Sequence, residues 1–190
     1  EFRAQEISKE SGSAYISPYN DPDIVAGQGT IAVELDNQLN NIDEVIVSVG
    51  GGGLISGIGG YLKQVQPKVQ MVACSPKNSC VMYESLNAGR ILDLPSKQTL
   101  SDSTAGGVEE GSITFDICKE IIDNFVLVTE KDIASGIRTA INDDHQLIEG
   151  SAGAAIAALF KRKKTLIGKR VVIIICGGNI NSTTLHKVLS

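Results

Sequence analysis

The hydrophobic and polar positions of this chain follow two alternating spacings, which predict strands and helices in turn. Short runs of β-branched residues, at 45–49 and 171–175, are typical of strands buried on both faces of a parallel sheet. Apolar residues three or four positions apart, as in residues 54–65, instead predict helices with one buried face. Because strands and helices alternate, we expect an α/β fold: a doubly wound parallel sheet with helices on both faces.

The remaining elements follow from the same two patterns. Strands are also predicted over residues 69–74 and 125–128, and helices over residues 3–10, 22–39, 54–65, 79–88, 113–122, 131–141 and 153–163, with a last helix after residue 179. Asp21 is expected to cap the second helix with Pro22 at its first position, and Gly89 to end the fourth. Residues 91–112 are polar and are predicted to be irregular.

Glycine is the most unusual part of the composition. The chain has 20 glycines, above the usual fraction of about 7 %. Four consecutive ones stand between a predicted strand and a helix: Gly50, Gly51, Gly52 and Gly53. Their main-chain N–H groups at a helix N-terminus suit a phosphate group, whereas a tight turn for packing needs fewer glycines. Since the pair at 177–178 also follows a strand, both loops are expected at one edge of the sheet, facing one ligand.

Common nucleotide-binding motifs do not fit this loop. The P-loop pattern GxxxxGK[ST] is absent. A dinucleotide fingerprint needs GxGxxG after a strand and an acid at the end of the next strand, but the second strand ends Cys74-Ser75-Pro76. Residues 27–32 match GxGxxA inside a helical pattern, so we interpret the match as chance. A nucleotide-binding domain is therefore disfavoured, and a phosphate monoester cofactor is the remaining candidate.

Charge and cysteine content narrow the function classes further. The 17 basic and 22 acidic residues give a net charge of −5, which disfavours nucleic acid and anionic membranes as partners. The basic run at 161–164 is interpreted as the solvated end of a helix. The sequence shows no signal peptide and no apolar run long enough to span a membrane. The four cysteines lack metal-ligand spacing, so we expect free thiols in a cytoplasmic protein.

Five segments occur in an order and spacing that one enzyme family shares. They are Tyr15-Ile16-Ser17-Pro18, Ile24-Val25-Ala26-Gly27-Gln28-Gly29-Thr30, Val49-Gly50-Gly51-Gly52-Gly53-Leu54, Leu147-Ile148-Glu149-Gly150 and Cys176-Gly177-Gly178-Asn179. Together they resemble the serine/threonine dehydratase and serine racemase family of fold type II pyridoxal-phosphate enzymes. The match runs along nearly the whole chain, and the pairing of AGQGT with GGGGL is its most specific part.

The resemblance implies a pyridoxal 5'-phosphate site and assigns residues to it. The amides of the four consecutive glycines and of Leu54 are expected to cradle the cofactor phosphate. Cys176 falls where the family places a serine or threonine against the pyridine nitrogen. Glu149 falls where a family glutamate lines the cofactor site, and residues 102–107 match a loop near the cofactor ring.

The identity of Cys176 bears on the reaction. A carboxylate at the ring nitrogen would keep that nitrogen protonated, whereas a hydroxyl leaves it largely unprotonated and favours loss of a β-hydroxyl over transamination. Cysteine keeps the contact neutral but weakens it, because a thiol is a poorer hydrogen-bonding group. A buried structural thiol at the end of a strand is the alternative interpretation of this residue.

Two features of the family have no counterpart in this chain. The acid of its divalent-cation site is replaced by Ser75, and the consecutive residues Asp143-Asp144-His145 point in different directions on a helix, so no metal site is expected. The Schiff-base lysine of the family lies in an S-F-K-x-R-G-like motif, which is absent. Lys63, Lys68 and Lys77 look like solvent-facing residues. No catalytic residue is therefore assigned within the chain.

The missing motif predicts that the chain is a fragment, which also fits its start at Glu1 without a methionine. Residues 1–17 are expected to end a small domain or linker. Residues 18–190 are expected to form the large cofactor-binding domain without its N-terminal segment, and to be inactive alone.

The activity implied is a β-elimination that converts L-threonine or L-serine to a 2-oxo acid and ammonia. Serine racemisation, dehydration of a 3-hydroxyaspartate and β-replacement are alternatives on the same fold. A non-catalytic subunit that keeps the fold is the alternative from another class. The implied partners are a small amino-acid substrate and further copies of the full-length chain, in a homodimer or homotetramer.

Overall fold

The centre of the molecule is a four-stranded sheet in which all strands are parallel. The computed structural model describes residues 2–190, and its strands are β1 (Glu44–Ser48), β2 (Gln70–Pro76), β3 (Ile122–Val128) and β4 (Val171–Ile173). The strand order is β3-β2-β1-β4, so β1 and β2 lie in the middle. The predicted parallel α/β fold is therefore confirmed.

Eight α-helices occur within residues 2–190. They are α1 (Phe2–Ser11), α2 (Pro22–Gln38), α3 (Gly53–Val65), α4 (Val81–Ala88), α5 (Ile113–Ile121), α6 (Glu130–Asp143), α7 (Gly150–Arg162) and α8 (Ser182–Leu189). A short 3-10 turn at Asp102–Thr104 interrupts the otherwise irregular residues 91–112. In this described part of the chain, no helix is both long enough and apolar enough to cross a membrane.

Each face of the sheet has its own hydrophobic core, because successive side chains of a strand point to opposite faces. On β1, Val45 and Val47 belong to the core that includes α2, α3 and α5, whereas Ile46 belongs to the core with α6 and α7. On β2, Met71 lies on the first face and Val72 on the second. This burial on both faces explains the β-branched run of β1.

The helix-end signals act as predicted. Oδ1 of Asp21 accepts hydrogen bonds from the N–H groups of Asp23 at 2.8 Å and Ile24 at 3.2 Å, with Pro22 at the first helical position. Gly89 ends α4 in the left-handed conformation, with φ of 69°. The Asp21 cap fixes the start of α2 directly after a turn that reaches the candidate site.

Two elements near that site differ from the prediction at their ends. α7 begins three residues earlier than predicted, and β4 ends two residues earlier. Gly150, the first residue of α7, packs directly against the main chain of Leu100, a long-range contact that no local pattern reveals. The N–H of Glu149 donates to the carbonyl of Gly177 at 3.1 Å, which draws the chain after β4 towards α7.

The basic run at 161–164 ends α7 as predicted, and Lys161, Lys163 and Lys164 are exposed, but Arg162 is a partly buried exception. Arg162 Nη2 lies 2.8 Å from Oε2 of Glu44, and Lys169 Nζ lies 2.6 Å from Oε1 of the same carboxylate. The side chain of Glu44 is only 1 % exposed. Since Glu44 is 118 positions away from Arg162, the sequence gives no local sign of this buried pair.

The prediction that Lys63 faces solvent is wrong in part, because its side chain is only 20 % exposed. Its Nζ pairs with Oδ2 of Asp123 at 2.6 Å and donates to the carbonyl of Val69 at 2.8 Å. The same carboxylate oxygen accepts the N–H of Met71 at 2.7 Å. Lys63 therefore ties α3 to the first residues of β2 and β3.

α2 and α3 approach each other through glycine. Gly29 and Gly57 face one another, and a methyl group on Gly57 would lie 2.6 Å from the main-chain nitrogen of Gly29. The GxGxxA match at 27–32 lies inside α2, as expected. Its Gly29 permits close packing of two helices.

We expect Gly57→Ala to lower the free energy of unfolding by about 1–3 kcal/mol, because the added methyl meets main-chain atoms that cannot rotate away. Gly60→Ala in the same helix is the matched control. A methyl on Gly60 enters open space and should raise stability by about 0.5–1 kcal/mol. Denaturant titration of both variants measures the difference, and equal effects would contradict the close helix contact.

Candidate functional site

The glycine loop lies at the carboxyl end of β1, in the middle of the sheet. It connects β1 to α3, and Gly52 is the N-cap residue of α3. Within residues 2–190, no protein acceptor is found for the N–H groups of residues 50–54. Free N–H groups at a helix N-terminus carry partial positive charge and attract anions.

Two positions show most directly why this loop consists of glycine. Gly52 has a φ of 90°, in the left-handed region that other residues rarely adopt. At Gly51, a methyl group would overlap the ring of Tyr19. The loop is therefore shaped by backbone conformation at one glycine and by an aromatic neighbour at the next.

The carbonyl groups of the loop are anchored to α5. The hydroxyl of Thr114 donates to the carbonyl of Gly51 at 2.6 Å, and Sγ of Cys118 contacts the carbonyl of Gly52 at 3.9 Å. Tyr19, which packs on Gly51, is held by the N–H of Glu109, which donates to its phenolic oxygen at 2.8 Å. Neither Thr114 nor Tyr19 was predicted to belong to the site. No local motif marks Thr114, and the one signal for Tyr19 is that it directly follows the Tyr15-Ile16-Ser17-Pro18 segment.

The loop lines a cavity of about 690 Å³ at the carboxyl edge of the sheet. The same cavity is lined by Ser48, Glu149, Ser151, Cys176 and residues 103–107. The loops after β1 and β4 thus meet at one cavity, as predicted, although the second loop lines it through Cys176 and not through the glycine pair at 177–178. None of the described lining residues is Lys, Arg or His, so main-chain amides are the source of positive potential there.

Glu149 is a buried carboxylate at the N-terminus of α7. Its Oε1 accepts from the hydroxyls of Ser103 at 2.6 Å and Ser151 at 2.7 Å, and its Oε2 accepts from the N–H of Asn179 at 2.9 Å. Burial raises the pKa of this carboxyl, but the three hydrogen bonds outweigh burial and hold the pKa below its ordinary value. Glu149 is therefore ionised at neutral pH.

Cys176 is exposed and lines the cavity, so the alternative of a buried structural thiol is wrong. Its sulfur lies 3.1 Å from the hydroxyl of Ser48 and 3.5 Å from that of Ser151. Cys74 and Cys118 are instead buried; burial raises the pKa of the Cys74 thiol and raises that of Cys118 to about 12. All four cysteines are free thiols, as predicted.

The cavity is lined by neither a metal-ligand cluster nor a lysine. Within residues 2–190, no three His, Cys, Asp or Glu side chains are grouped so as to hold a metal ion. Ser75 donates its hydroxyl to the carbonyl of Val49 at 2.6 Å. Lys68 and Lys77 are exposed, as predicted, and no lysine is among the described residues that line the cavity.

A parallel sheet whose central strand ends in free amides, beside an open cavity, is typical of proteins that bind a phosphorylated ligand at the carboxyl edge of the sheet. A phosphate monoester fits this loop, since several N–H groups without acceptors stand together and no side chain projects from the glycines. The family model for pyridoxal-phosphate dependent enzymes matches residues 1–177. The chain belongs to that family.

Individual relatives point to one branch of the family. An L-threonine ammonia-lyase of Thermotoga maritima is 35 % identical over 187 residues, covering 98 % of this chain and 46 % of that protein. A biosynthetic L-threonine dehydratase of Halalkalibacterium halodurans is 37 % identical over 177 residues, covering 93 % of this chain and 42 % of that protein. The chain therefore spans about half the length of these curated relatives.

Solved structures show the same fold. The processed form of threonine deaminase isoform 2 from Solanum lycopersicum has a TM-score of 0.92 at 34 % identity, covering 99 % of this chain and 55 % of that one. Maize serine racemase has a TM-score of 0.88 at 28 % identity, covering 99 % of this chain and 59 % of that one. The resemblance to the dehydratase and racemase family is thus confirmed.

Proposed function

We propose that the protein carries out a pyridoxal-phosphate-dependent β-elimination on L-threonine or L-serine, giving a 2-oxo acid and ammonia. The observation that carries this proposal is the row of free amides at residues 50–54, which shares one cavity with Cys176 and Glu149. Relatives named threonine ammonia-lyase and threonine dehydratase, aligned over nearly the whole chain, support the substrate class.

In this proposal, the amides of Gly50, Gly51, Gly52, Gly53 and Leu54 bind the cofactor phosphate. The N-terminus of α3 adds the favourable end of its dipole. Because no cationic side chain is found among the described residues of the cavity wall, main-chain amides are the positive groups that this chain offers to the phosphate. Pyridoxal without its phosphate is therefore expected to bind far more weakly than the phosphate ester.

When bound, the cofactor supplies an electron-withdrawing ring that acidifies the α-proton of an attached amino acid, while the protein supplies binding and orientation. Cys176 would be the residue that contacts the ring nitrogen, and Glu149 would support the same side of the site. Residues 102–107 would lie near the ring. The main chain of Thr104 lies so close to Gly50 that a methyl group on Gly50 would come within 2.8 Å of it.

The division into domains is part of the same proposal. Residues 1–17 end a small domain, and residues 18–190 form the large cofactor-binding domain. The lysine that binds the cofactor and takes the α-proton then belongs to a segment of the full-length protein. That segment corresponds to the part of the relatives that this chain does not span, so the chain alone is inactive. The full-length protein forms a homodimer or homotetramer.

The full-length protein, supplied with pyridoxal 5'-phosphate, should release 2-oxobutanoate from L-threonine or pyruvate from L-serine, with one ammonia per oxo acid. Pyridoxal in place of the phosphate ester should give no product. Cofactor binding without oxo-acid formation from either amino acid would contradict the proposed reaction.

Serine racemisation is the second candidate, favoured by the close structural match to maize serine racemase. Chiral chromatography of the same reaction with L-serine separates the two activities. Accumulation of D-serine in excess of pyruvate would favour the racemase, and pyruvate with little D-serine would favour the dehydratase.

A further inference from the structure

Glu109 gathers side chains from one distant segment around its carboxylate. Its Oε2 accepts from the side-chain amide of Asn20 at 2.8 Å, and its Oε1 accepts from the hydroxyls of Tyr15 at 3.1 Å and Ser17 at 3.3 Å. The side-chain amide of Gln5 donates to the same Oε1 at 3.4 Å. These donors lie 89 to 104 positions earlier in the chain, so the cluster is a product of the fold and not of a local motif.

Tyr19 belongs to the same segment and contacts the glycine loop. Its phenolic oxygen accepts the main-chain N–H of Glu109 at 2.8 Å, and its side chain is buried. A methyl group on Gly51 would overlap the tyrosine ring, and one on Gly53 would lie 2.9 Å from the tyrosine β-carbon. Two glycines of the loop therefore rest on a side chain whose position depends on the residues around Glu109.

Asn20 is held in one orientation and cannot turn away from Glu109. Its Oδ1 accepts the N–H of Ile113, the first residue of α5, at 3.0 Å. A flip of the amide would bring its NH₂ group against that N–H, and neither group can accept a hydrogen bond. The acceptor opposite the NH₂ group is the carboxylate of Glu109, which thereby fixes the residue that directly follows Tyr19.

Glu109 itself does not line the cavity that contains the glycine loop. It lines a neighbouring cavity, and among the described lining residues the two cavities share Tyr19 and Gly107. No ion pair within residues 2–190 includes Glu109, so neutral donors meet its charge, in bonds stronger than those between neutral groups. Any effect of Glu109 on a ligand at the glycine loop must pass through residues between them, and Tyr19 contacts both.

We propose that Glu109 is a positioning residue for the phosphate loop. Its carboxylate fixes residues 15–20, and Tyr19 then holds the glycine loop in the conformation that directs its amides at the phosphate. This inference rests on the proposed function, in which those amides bind the cofactor phosphate. Because residues 1–17 are there the end of the small domain, Glu109 also ties the domain boundary to the cofactor site.

Removal of the carboxylate tests the inference, because charge and position predict opposite results. Loss of a negative charge acting through space would strengthen the binding of an anionic phosphate ester. Loss of positioning should instead weaken the binding of pyridoxal 5'-phosphate to full-length Glu109→Ala about five- to tenfold. The affinity for pyridoxal, which lacks the phosphate, should change less than about twofold. Equilibrium dialysis measures both affinities, and an equal loss for both ligands would indicate a general structural role and overturn the inference.

Glu110→Ala is the matched control, because it removes the neighbouring carboxylate. Glu110 is exposed and its side chain has no recorded hydrogen bond in the described part of the chain, so its loss should leave cofactor affinity unchanged or slightly higher. Glu109→Gln keeps an acceptor and should show a smaller loss than Glu109→Ala, about two- to threefold. If Glu109→Ala does not fold, Glu109→Gln carries the same comparison. Affinities for the phosphate ester equal to that of Glu110→Ala would refute the inference.

A double-mutant cycle with Tyr19→Ala tests the route to the loop. Once the tyrosine ring is absent, most of the effect of Glu109→Ala on the affinity for pyridoxal 5'-phosphate should disappear. The same loss with and without the ring would show that Glu109 does not act through Tyr19. A wild-type protein that binds pyridoxal 5'-phosphate no better than pyridoxal would instead overturn the proposed phosphate site, and this inference with it.

Discussion

Replacing Gly52 with aspartate should abolish retention of pyridoxal 5'-phosphate. The new side chain would leave the N-cap residue of α3, next to the amides proposed to hold the phosphate, and its β-carbon would lie against Cys118 and Met82 on the core side of the loop. Repulsion between like charges about 5 Å apart is worth roughly 3 kcal/mol at a partly screened site, or about a hundredfold in affinity. Equilibrium dialysis of the cofactor against the full-length variant measures the loss.

The control for this variant is Gly52→Asn, which matches aspartate in shape without its charge. Both side chains meet the same neighbours, since a β-carbon at Gly52 would lie 2.9 Å from Sγ of Cys118 and 3.0 Å from Cε of Met82. Both also strain the same backbone, at φ of 90°. Asparagine should therefore weaken binding, and aspartate should weaken it about a hundredfold more. Equal affinities for the two variants would remove the phosphate from this loop.

Pyridoxal provides a second comparison, because it has the same ring and no phosphate. If the charge at position 52 acts on the phosphate, Gly52→Asn and Gly52→Asp should bind pyridoxal with nearly equal affinity. For the phosphate ester, Gly52→Asn should bind much more tightly than Gly52→Asp. A large difference for both ligands would indicate that aspartate distorts the ring site instead.

The strand–loop–helix unit that carries the glycines was predictable because its information is local. The β-branched run at 45–49, the four glycines and the helical spacing at 54–65 lie next to each other in the chain, and each obeys a short-range rule. Asp21 and Gly89 are similar cases, since a cap depends on neighbours within one turn of a helix. Parallel topology then places the strand ends at one edge, which brings Cys176 beside the glycine loop.

Contacts between distant segments were not predictable in this way. Nothing near Thr114 marks it as the donor to the carbonyl of Gly51, 63 positions earlier. Ser48 and Cys176 are 128 positions apart, and their contact depends on how the end of β1 meets the loop after β4. Sequence patterns show which residue types are buried, but the partner of a polar group is decided by packing across the whole domain.

Replacing Arg162 with methionine should lower the free energy of unfolding by about 3 kcal/mol. The reason is that Glu44 has a side chain only 1 % exposed and would lose the guanidinium that bonds its Oε2 through Nε at 3.2 Å and Nη2 at 2.8 Å. Lys169 remains 2.6 Å from the other oxygen and limits the loss. Methionine keeps most of the aliphatic length of arginine, so packing changes little. Denaturant titration gives the free-energy difference.

Lys161→Met is the matched control, one position earlier in the same helix. Lys161 pairs with Asp132 at 3.0 Å, but the two side chains are 38 % and 33 % exposed. Losing an exposed pair should cost less than about 1 kcal/mol. Equal losses in the two variants would mean that the burial of Glu44 contributes nothing to the difference.

The position of Glu44 makes this second prediction independent of the first. Glu44 begins β1, whereas the glycine loop follows the last residue of the same strand. Arg162→Met should therefore leave the cofactor affinity of the folded protein unchanged while lowering its stability. Gly52→Asp should weaken cofactor binding more than Gly52→Asn does, because the aspartate charge lies at the end of the strand opposite Glu44. If Arg162→Met weakened cofactor binding in fully folded protein, the two ends of β1 would be coupled, and a loss of affinity in the Gly52 variants could no longer be assigned to the phosphate loop alone.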